Sequence, residues 1–178
     1  MSDKAPVRHA FKQVPQPALL EKLKRALTGI EVEFRETSTD IDLHVAPANL
    51  LRTVKELNER KELGFDFLRN VSAVDYVDEG LAAVYNFYSF KQGYAVQVTV
   101  ATPPGNPVVP SLTSTFAAAD WHEREAAEMV GLVFEGHPNP KNLLLEEDLR
   151  IHPLLKAHPL QKVEILQGIE ETDAGFKF

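Results

Sequence analysis

The chain has no cysteine. That excludes disulfides, thiol catalysis and the usual thiolate ligands of iron–sulfur clusters together. It has no glycine-rich phosphate loop, since Gly93, Gly105 and Gly131 stand alone. No nucleophile elbow is present. The zincin pattern begun by His122-Glu123 fails, because Ala126 occupies the place of the second histidine. No run approaches the roughly 18 apolar residues of a membrane span. The first twenty residues lack the apolar core of a signal peptide, so a soluble, cytoplasmic chain is expected. Positive charge is also short: 19 Lys and Arg face 26 Asp and Glu, a net charge of −7. That argues against nucleic acid as the main partner, because phosphate binding wants a basic surface. It argues less strongly against docking on an anionic membrane.

What is present suits one domain. A chain of 178 residues, 44% of them hydrophobic, can bury about 70% of its unfolded surface and needs no metal or disulfide to fold. Residues 1–16 read as a loose leader. Pro17 opens an amphipathic helix with Leu19, Leu20, Leu23, Ala26 and Leu27 as its stripe, closed by Gly29. Glu31 to Arg35 and Ile41 to Val45 alternate and read as a hairpin, with His44 exposed on its polar face. Pro47 opens a second helix whose stripe is Leu50, Leu51, Val54 and Leu57.

From Phe65 the pattern becomes that of three strands, 65–76, 81–90 and 94–101, joined by turns at Gly80 and Gly93. Tyr94, Val96, Val98 and Val100 alternate with Gln97 and Thr99, which marks an antiparallel meander with one buried face. The expected fold class is α+β, a mostly antiparallel sheet with helices packed on one face, over residues 17–135. Residues 102–110 read as a proline-rich connection, and Ser111–Ala119 as a segment that starts with a short helix and leads to the charged one. Residues 136–178 read as an extended, proline-rich, irregular segment. Its Leu143, Leu144, Leu145, Leu149, Ile151, Leu154 and Leu155 must be buried somewhere, on this domain or on another protein.

The charged stretch Asp120–Leu145 organises the rest. Asp120 suits an N-cap and Glu123 the reciprocal capping-box place, and Gly131 suits a left-handed stop. A helix of about three turns, Trp121 to Val130, follows. Trp121, Glu125 and Met129 share one face and Arg124 and Glu128 the next. An ionised Glu125 between a Trp and a Met would need a partner, such as Arg124. The plain alternative is a solvated charged helix with one apolar stripe. His137, His152 and His158 each neighbour a proline and read as turn residues rather than metal ligands. Glu123, Glu125 and Glu128 read as cap, buried pair and surface pair rather than acid–base catalysts.

The spacing of Glu123-Arg124-Glu125, Glu128, Met129-Val130, His137, Lys141 and Leu143-Leu144 resembles the signature of one family. It is the 30 kDa subunit family of proton-pumping NADH:quinone oxidoreductase, respiratory complex I. Trp121, the Gly136-His137-Pro138 turn, His152-Pro153-Leu154, Lys156 and Pro159-Leu160 fit the same pattern. Ala127, Val130, Pro140, Asn142, Leu155 and Ala157 depart from it.

The resemblance implies a protein with no cofactor of its own, on the cytoplasmic side of the cell membrane. It implies a place in the peripheral arm beside a hydrogenase-like large subunit and iron–sulfur subunits, with FMN and the clusters carried by partners. Trp121, Glu123, Arg124, Glu125, Glu128, Gly136, His137, Pro138, Lys141, His152 and Pro153 are then interface residues. An equivalent subunit of a membrane-bound energy-converting hydrogenase is the alternative. A freestanding enzyme using His137 and the nearby glutamates is a more distant one.

Overall fold

Strict alternation of apolar residues builds a five-stranded sheet in the computed structural model, which describes residues 16–36, 41–147, 149 and 151–158. The strands are β1 (Val32–Glu36), β2 (Ile41–Val45), β3 (Phe67–Asp75), β4 (Leu81–Ser89) and β5 (Tyr94–Ala101). They lie in the order β1-β2-β5-β4-β3. Pairing is antiparallel except between β2 and β5, which run parallel. The leader before Gln16, the hairpin tip at 37–40 and the segment after His158 lie outside the described residues.

One face of the sheet carries Leu43, Val98, Tyr85 and Val71 in register and is buried. Leu68 and Val71 are an odd number of residues apart, so a regular strand would point them to opposite sides. A bulge between Leu68 and Asn70 corrects this and turns both into the core. Helix α1 (Gln16–Ala26) adds Leu19, Leu23 and Ala26 to that core, and α2 (Leu50–Glu59) adds Leu50, Val54 and Leu57.

Two details of the expected stripes change. Leu51 is half exposed, and Thr53 is buried in its stead. Positions 50, 53, 54 and 57 recur at helical spacing, so Thr53 completes the buried stripe and Leu51 falls beside it. His44 is not the free surface histidine that its place on the polar face suggests. Its Nε2 lies 2.9 Å from Asp42 Oδ2, and the Thr99 hydroxyl donates to Asp42 Oδ1 at 2.9 Å. The polar face of the sheet is thus cross-linked across β2 and β5.

The short helix expected at the start of Ser111–Ala119 does not form. Thr115 and Phe116 both donate to the Leu112 carbonyl, which makes one isolated turn. Phe116 then packs on Phe87 with ring centroids 5.4 Å apart. The 102–110 connection is not wholly irregular either. Val108–Pro110 forms β6, which pairs in parallel with β7 (Val133–Glu135). Between them runs α3 (Ala119–Val130), so this short strand–helix–strand unit carries the charged helix along the β3 side of the sheet.

Candidate functional site

Three stripes of α3 have three different surroundings. Ala119, Glu123, Ala126 and Val130 recur at i, i+4, i+7 and i+11 and face the core. Asp120, Arg124, Ala127, Glu128 and Gly131 run along the side against which residues 137–154 are fastened. Trp121 and Glu125 face outward and are exposed, Trp121 to 67%.

The buried acids of α3 are therefore Glu123, at 0% exposure, and Glu128, which is not the surface pair expected of it; Glu125 is not buried. Trp121 does not bury Glu125, so that carboxylate stays in water and needs no partner. Nor does Asp120 cap the helix. Ala118 is the N-cap, no side chain caps it, and Asp120 lies in the first turn. The capping-box role of Glu123 falls with it.

Glu123 instead reaches back to the loop before the helix. Its Oε1 accepts the Leu112 N–H at 2.7 Å and its Oε2 accepts the Ser111 hydroxyl at 2.6 Å. Burial pushes its carboxyl above the usual range; the Ser111 and Leu112 bonds and the His137 ring oppose this, and Asp120 adds to it. The Tyr85 hydroxyl beneath is buried, has no partner among the described residues, and is pushed well up by burial and by Glu123.

The next stripe pins the irregular segment by its backbone. The Arg124 guanidinium donates through Nε to the Lys141 carbonyl and through Nη2 to the Asn142 carbonyl, both at 2.8 Å. The Glu128 carboxylate accepts three successive N–H groups, from Leu143 at 2.8 Å, Leu144 at 3.0 Å and Leu145 at 3.3 Å. Consecutive amides converging on one anion form a nest. His152 Nδ1 donates to the Glu128 carbonyl at 2.9 Å, and the Leu154 N–H to that of Met129 at 2.9 Å. Farther on, the Lys156 N–H reaches Asp75 Oδ2 at 2.8 Å.

His137 is held the same way. Its Nδ1 accepts the Asn139 N–H at 3.0 Å, so the ring hydrogen sits on Nε2, 3.1 Å from the Asp120 carbonyl. Asp120 Oδ1 is 3.3 Å from the same nitrogen. The ring itself is 2% exposed.

Between α3 and this segment lies a cavity of about 330 Å³. Of the signature residues it gathers Glu123, Arg124, Glu128, His137, Lys141 and His152 along its walls. Trp121 and Glu125 are not among them, and Gly136, Pro138 and Pro153 shape the chain beside it. Gly136 takes φ +82°, which lets the turn into His137 form. Among the described residues no three His, Asp or Glu side chains are placed to share a metal ion.

The leucines split between the two expected fates. The backbone of 137–156 wraps its own domain, yet Leu144 and Leu154 are each 64% exposed, and Ile151 is half exposed. What sequence reasoning missed was the core stripe through Glu123. The signal was Ala119, Ala126 and Val130 at helical spacing from it.

Residues 43–164 match the family described as the respiratory-chain NADH dehydrogenase 30 kDa subunit. An NADH-quinone oxidoreductase subunit of Roseiflexus castenholzii is 35% identical over 140 residues, covering 78% of this chain and 80% of its own. Its counterpart in Moorella thermoacetica is 39% identical over 137 residues, covering 76% and 89%. A trypsin-resistant fragment of Nqo5 superposes with a TM-score of 0.53 at 25% identity, covering 69% of this chain and 97% of the fragment. A chain of a membrane-bound sulfane sulfur reductase, an archaeal respiratory membrane complex, shares the fold at a TM-score of 0.66 and 18% identity, over 91% and 95%. With Glu123, Arg124, Glu128, His137, Lys141 and His152 gathered around one cavity and this match running through them, the chain belongs to the respiratory-chain NADH dehydrogenase 30 kDa subunit family.

Proposed function

We propose that the chain is a cofactor-free subunit of the peripheral arm of a proton-translocating NADH:quinone oxidoreductase. It supports assembly of the quinone-reducing module, while electrons pass through neighbouring chains. Its partners in this reading are a hydrogenase-like large subunit and small iron–sulfur subunits, on the cytoplasmic side of the membrane. No described helix is long and apolar enough to cross a membrane, so attachment would come through the complex.

One observation carries the proposal. A segment whose backbone is fixed at Arg124, Glu128, Met129 and Asp75 holds Leu144, Ile151 and Leu154 outward. Free loops bury such side chains or lack them, and an ordered apolar display suits a protein interface. The groups a freestanding enzyme would need are otherwise engaged. Both His137 nitrogens are hydrogen-bonded, and Glu123 holds the 111–112 turn.

The test is co-purification from the native host. A tagged chain should bring down the hydrogenase-like large subunit and the iron–sulfur subunits. The double variant Leu144→Glu/Leu154→Glu should lose them by at least tenfold with little change in Tm. Retention of all partners by that variant would sink the docking surface. A visible absorption band from a stoichiometric cofactor on the isolated chain would sink the cofactor-free reading.

The equivalent subunit of a membrane-bound energy-converting hydrogenase or kindred complex is a second reading. The fold shared with the archaeal reductase chain supports it. NADH- and flavin-binding chains in the co-purified set favour the first reading, and a nickel-site large subunit the second.

A further inference from the structure

Arg124 is a half-buried cation, and among the described residues it forms no ion pair. The two carbonyls it meets satisfy hydrogen bonds but bring no described carboxylate into contact with its charge. Such a charge is unfavourable there unless an anion joins it. The cavity beside it has two acids, and both are engaged. Glu123 holds Ser111 and Leu112, and Glu128 holds the three leucine amides. Lys141 adds a second cation to the lining, but it pairs with Glu147 at 3.7 Å, and Leu132, Phe134, Pro140 and Leu149 make much of the remaining wall apolar. His152 Nε2 also borders this space with no partner among the described residues, since its bond to Glu128 uses Nδ1.

We propose that this cavity receives one carboxylate side chain of a partner protein, with Arg124 as its counter-ion. The proposal rests on the subunit reading above and adds what the partner presents. A planar guanidinium fork matches a planar carboxylate. Glu123 and Glu128 in the same walls repel any anion, and a phosphate dianion would meet about twice the repulsion that a carboxylate monoanion meets. Val133 and Leu149 line the cavity yet are exposed, so its rim is apolar. A folded partner covers such a rim, whereas a free small anion gains nothing from it.

The experiment uses the full chain labelled with nitrogen-15, titrated with sodium acetate, inorganic phosphate or methylammonium chloride at constant ionic strength. Acetate should shift the Arg124 Nε–H signal and the amides of Leu132 and Val133 along a saturating curve. A ligand of this size should show a midpoint on the order of 10 mM. Methylammonium should give no saturating shift, and phosphate should bind at least severalfold more weakly. Arg124→Gln should abolish the acetate response, and Arg124→Lys should keep part of it.

Because Arg124 also fastens the 141–142 backbone, the arms on the unmodified chain decide the matter. Non-saturating acetate shifts, an equal methylammonium response, or tighter phosphate binding would each overturn the assignment. Docking is read separately by co-purification. A chain that assembles but shows no saturable acetate site refutes the cavity and leaves the subunit reading intact.

Discussion

The imidazole of His152 occupies the space where a side chain on Gly131 would stand. An added Cβ there would meet His152 Cδ2 at 2.9 Å and Nε2 at 3.2 Å. Gly131 also takes φ +88° at the end of α3. Gly131→Ala therefore carries two penalties, a left-handed backbone and a displaced ring that holds the Glu128 carbonyl. The expected loss is about 2–3 kcal/mol. Gly136→Ala is the control, because Gly136 has φ +82° with nothing within 4 Å. It should lose only about 1 kcal/mol. Urea unfolding of both variants checks the difference.

The Glu128 nest makes a second prediction. Glu128→Ala leaves three successive amides without their acceptor. Water can replace part of it, so the expected loss is about 1.5–3 kcal/mol, the range for hydrogen bonds to a charged group. Hydrogen exchange at Leu143, Leu144 and Leu145 should accelerate at least tenfold, while β4 and β5 keep their protection. Unchanged exchange at the three leucines would mean that the carboxylate does not order them.

These anchors explain why the sequence disclosed the sheet and concealed the site. Tyr94 to Val100 alternates strictly, and a period of two permits only one structure over that length. Gly131 also announced itself, because a helix that must stop left-handed prefers glycine. On α3, however, Trp121 and Met129 drew the apolar stripe toward Glu125, when Ala119, Ala126 and Val130 were the residues buried. Alanine marks a core face poorly, since it is at home on any face of a helix. The β6–β7 pairing was hidden for another reason. Strands of three residues have no period to read, β6 follows Pro107 and ends on Pro110, and its parallel partner lies beyond a whole helix. The course of residues 137–156 was half visible, because a run of leucines without a period had to wrap this domain or meet another protein. Their fastening runs through backbone groups, which no side-chain pattern reveals.

Asp75 supplies an anchor that responds to acid. It accepts the Lys156 N–H at 2.8 Å and the Val77 N–H at 2.7 Å, and these bonds, Lys156 first, hold its carboxyl below the usual range. A depressed acid stabilises the fold above its ordinary pKa, and the effect disappears as pH falls through the lowered value. The end of the 137–156 segment should thus stay fastened at neutral pH and loosen only in strong acid. Asp75→Asn keeps one acceptor for two donors and should loosen it at neutral pH. Faster exchange of the Lys156 amide in the variant is the expected result. Equal protection in both proteins would show that Asp75 is not the anchor.

Glu123 should act with the opposite sign. Its carboxyl is raised, first by burial, against the Ser111 and Leu112 bonds and the nearby His137, with Asp120 contributing on the raising side. An acid raised in the folded state binds its proton more tightly folded than unfolded. Its contribution is therefore most favourable below the ordinary carboxylate value, declines as pH rises to the raised value, and is constant above it. Glu123→Gln fixes the uncharged form: its oxygen can still accept from Leu112, and its amide can donate to Ser111 Oγ while that hydroxyl turns to Thr113, 2.8 Å away. The urea midpoint of the Gln variant relative to the parent should therefore rise as pH climbs above the ordinary carboxylate range and level off once pH passes the raised value. Glu123→Leu has no acceptor for Leu112 or Ser111, so it should lose roughly 2–4 kcal/mol throughout. A Gln-to-parent difference that is flat with pH would show that Glu123 ionises in the folded chain as freely as in the unfolded one. Burial at 0% exposure would then have to be relieved by water entering from the adjoining cavity.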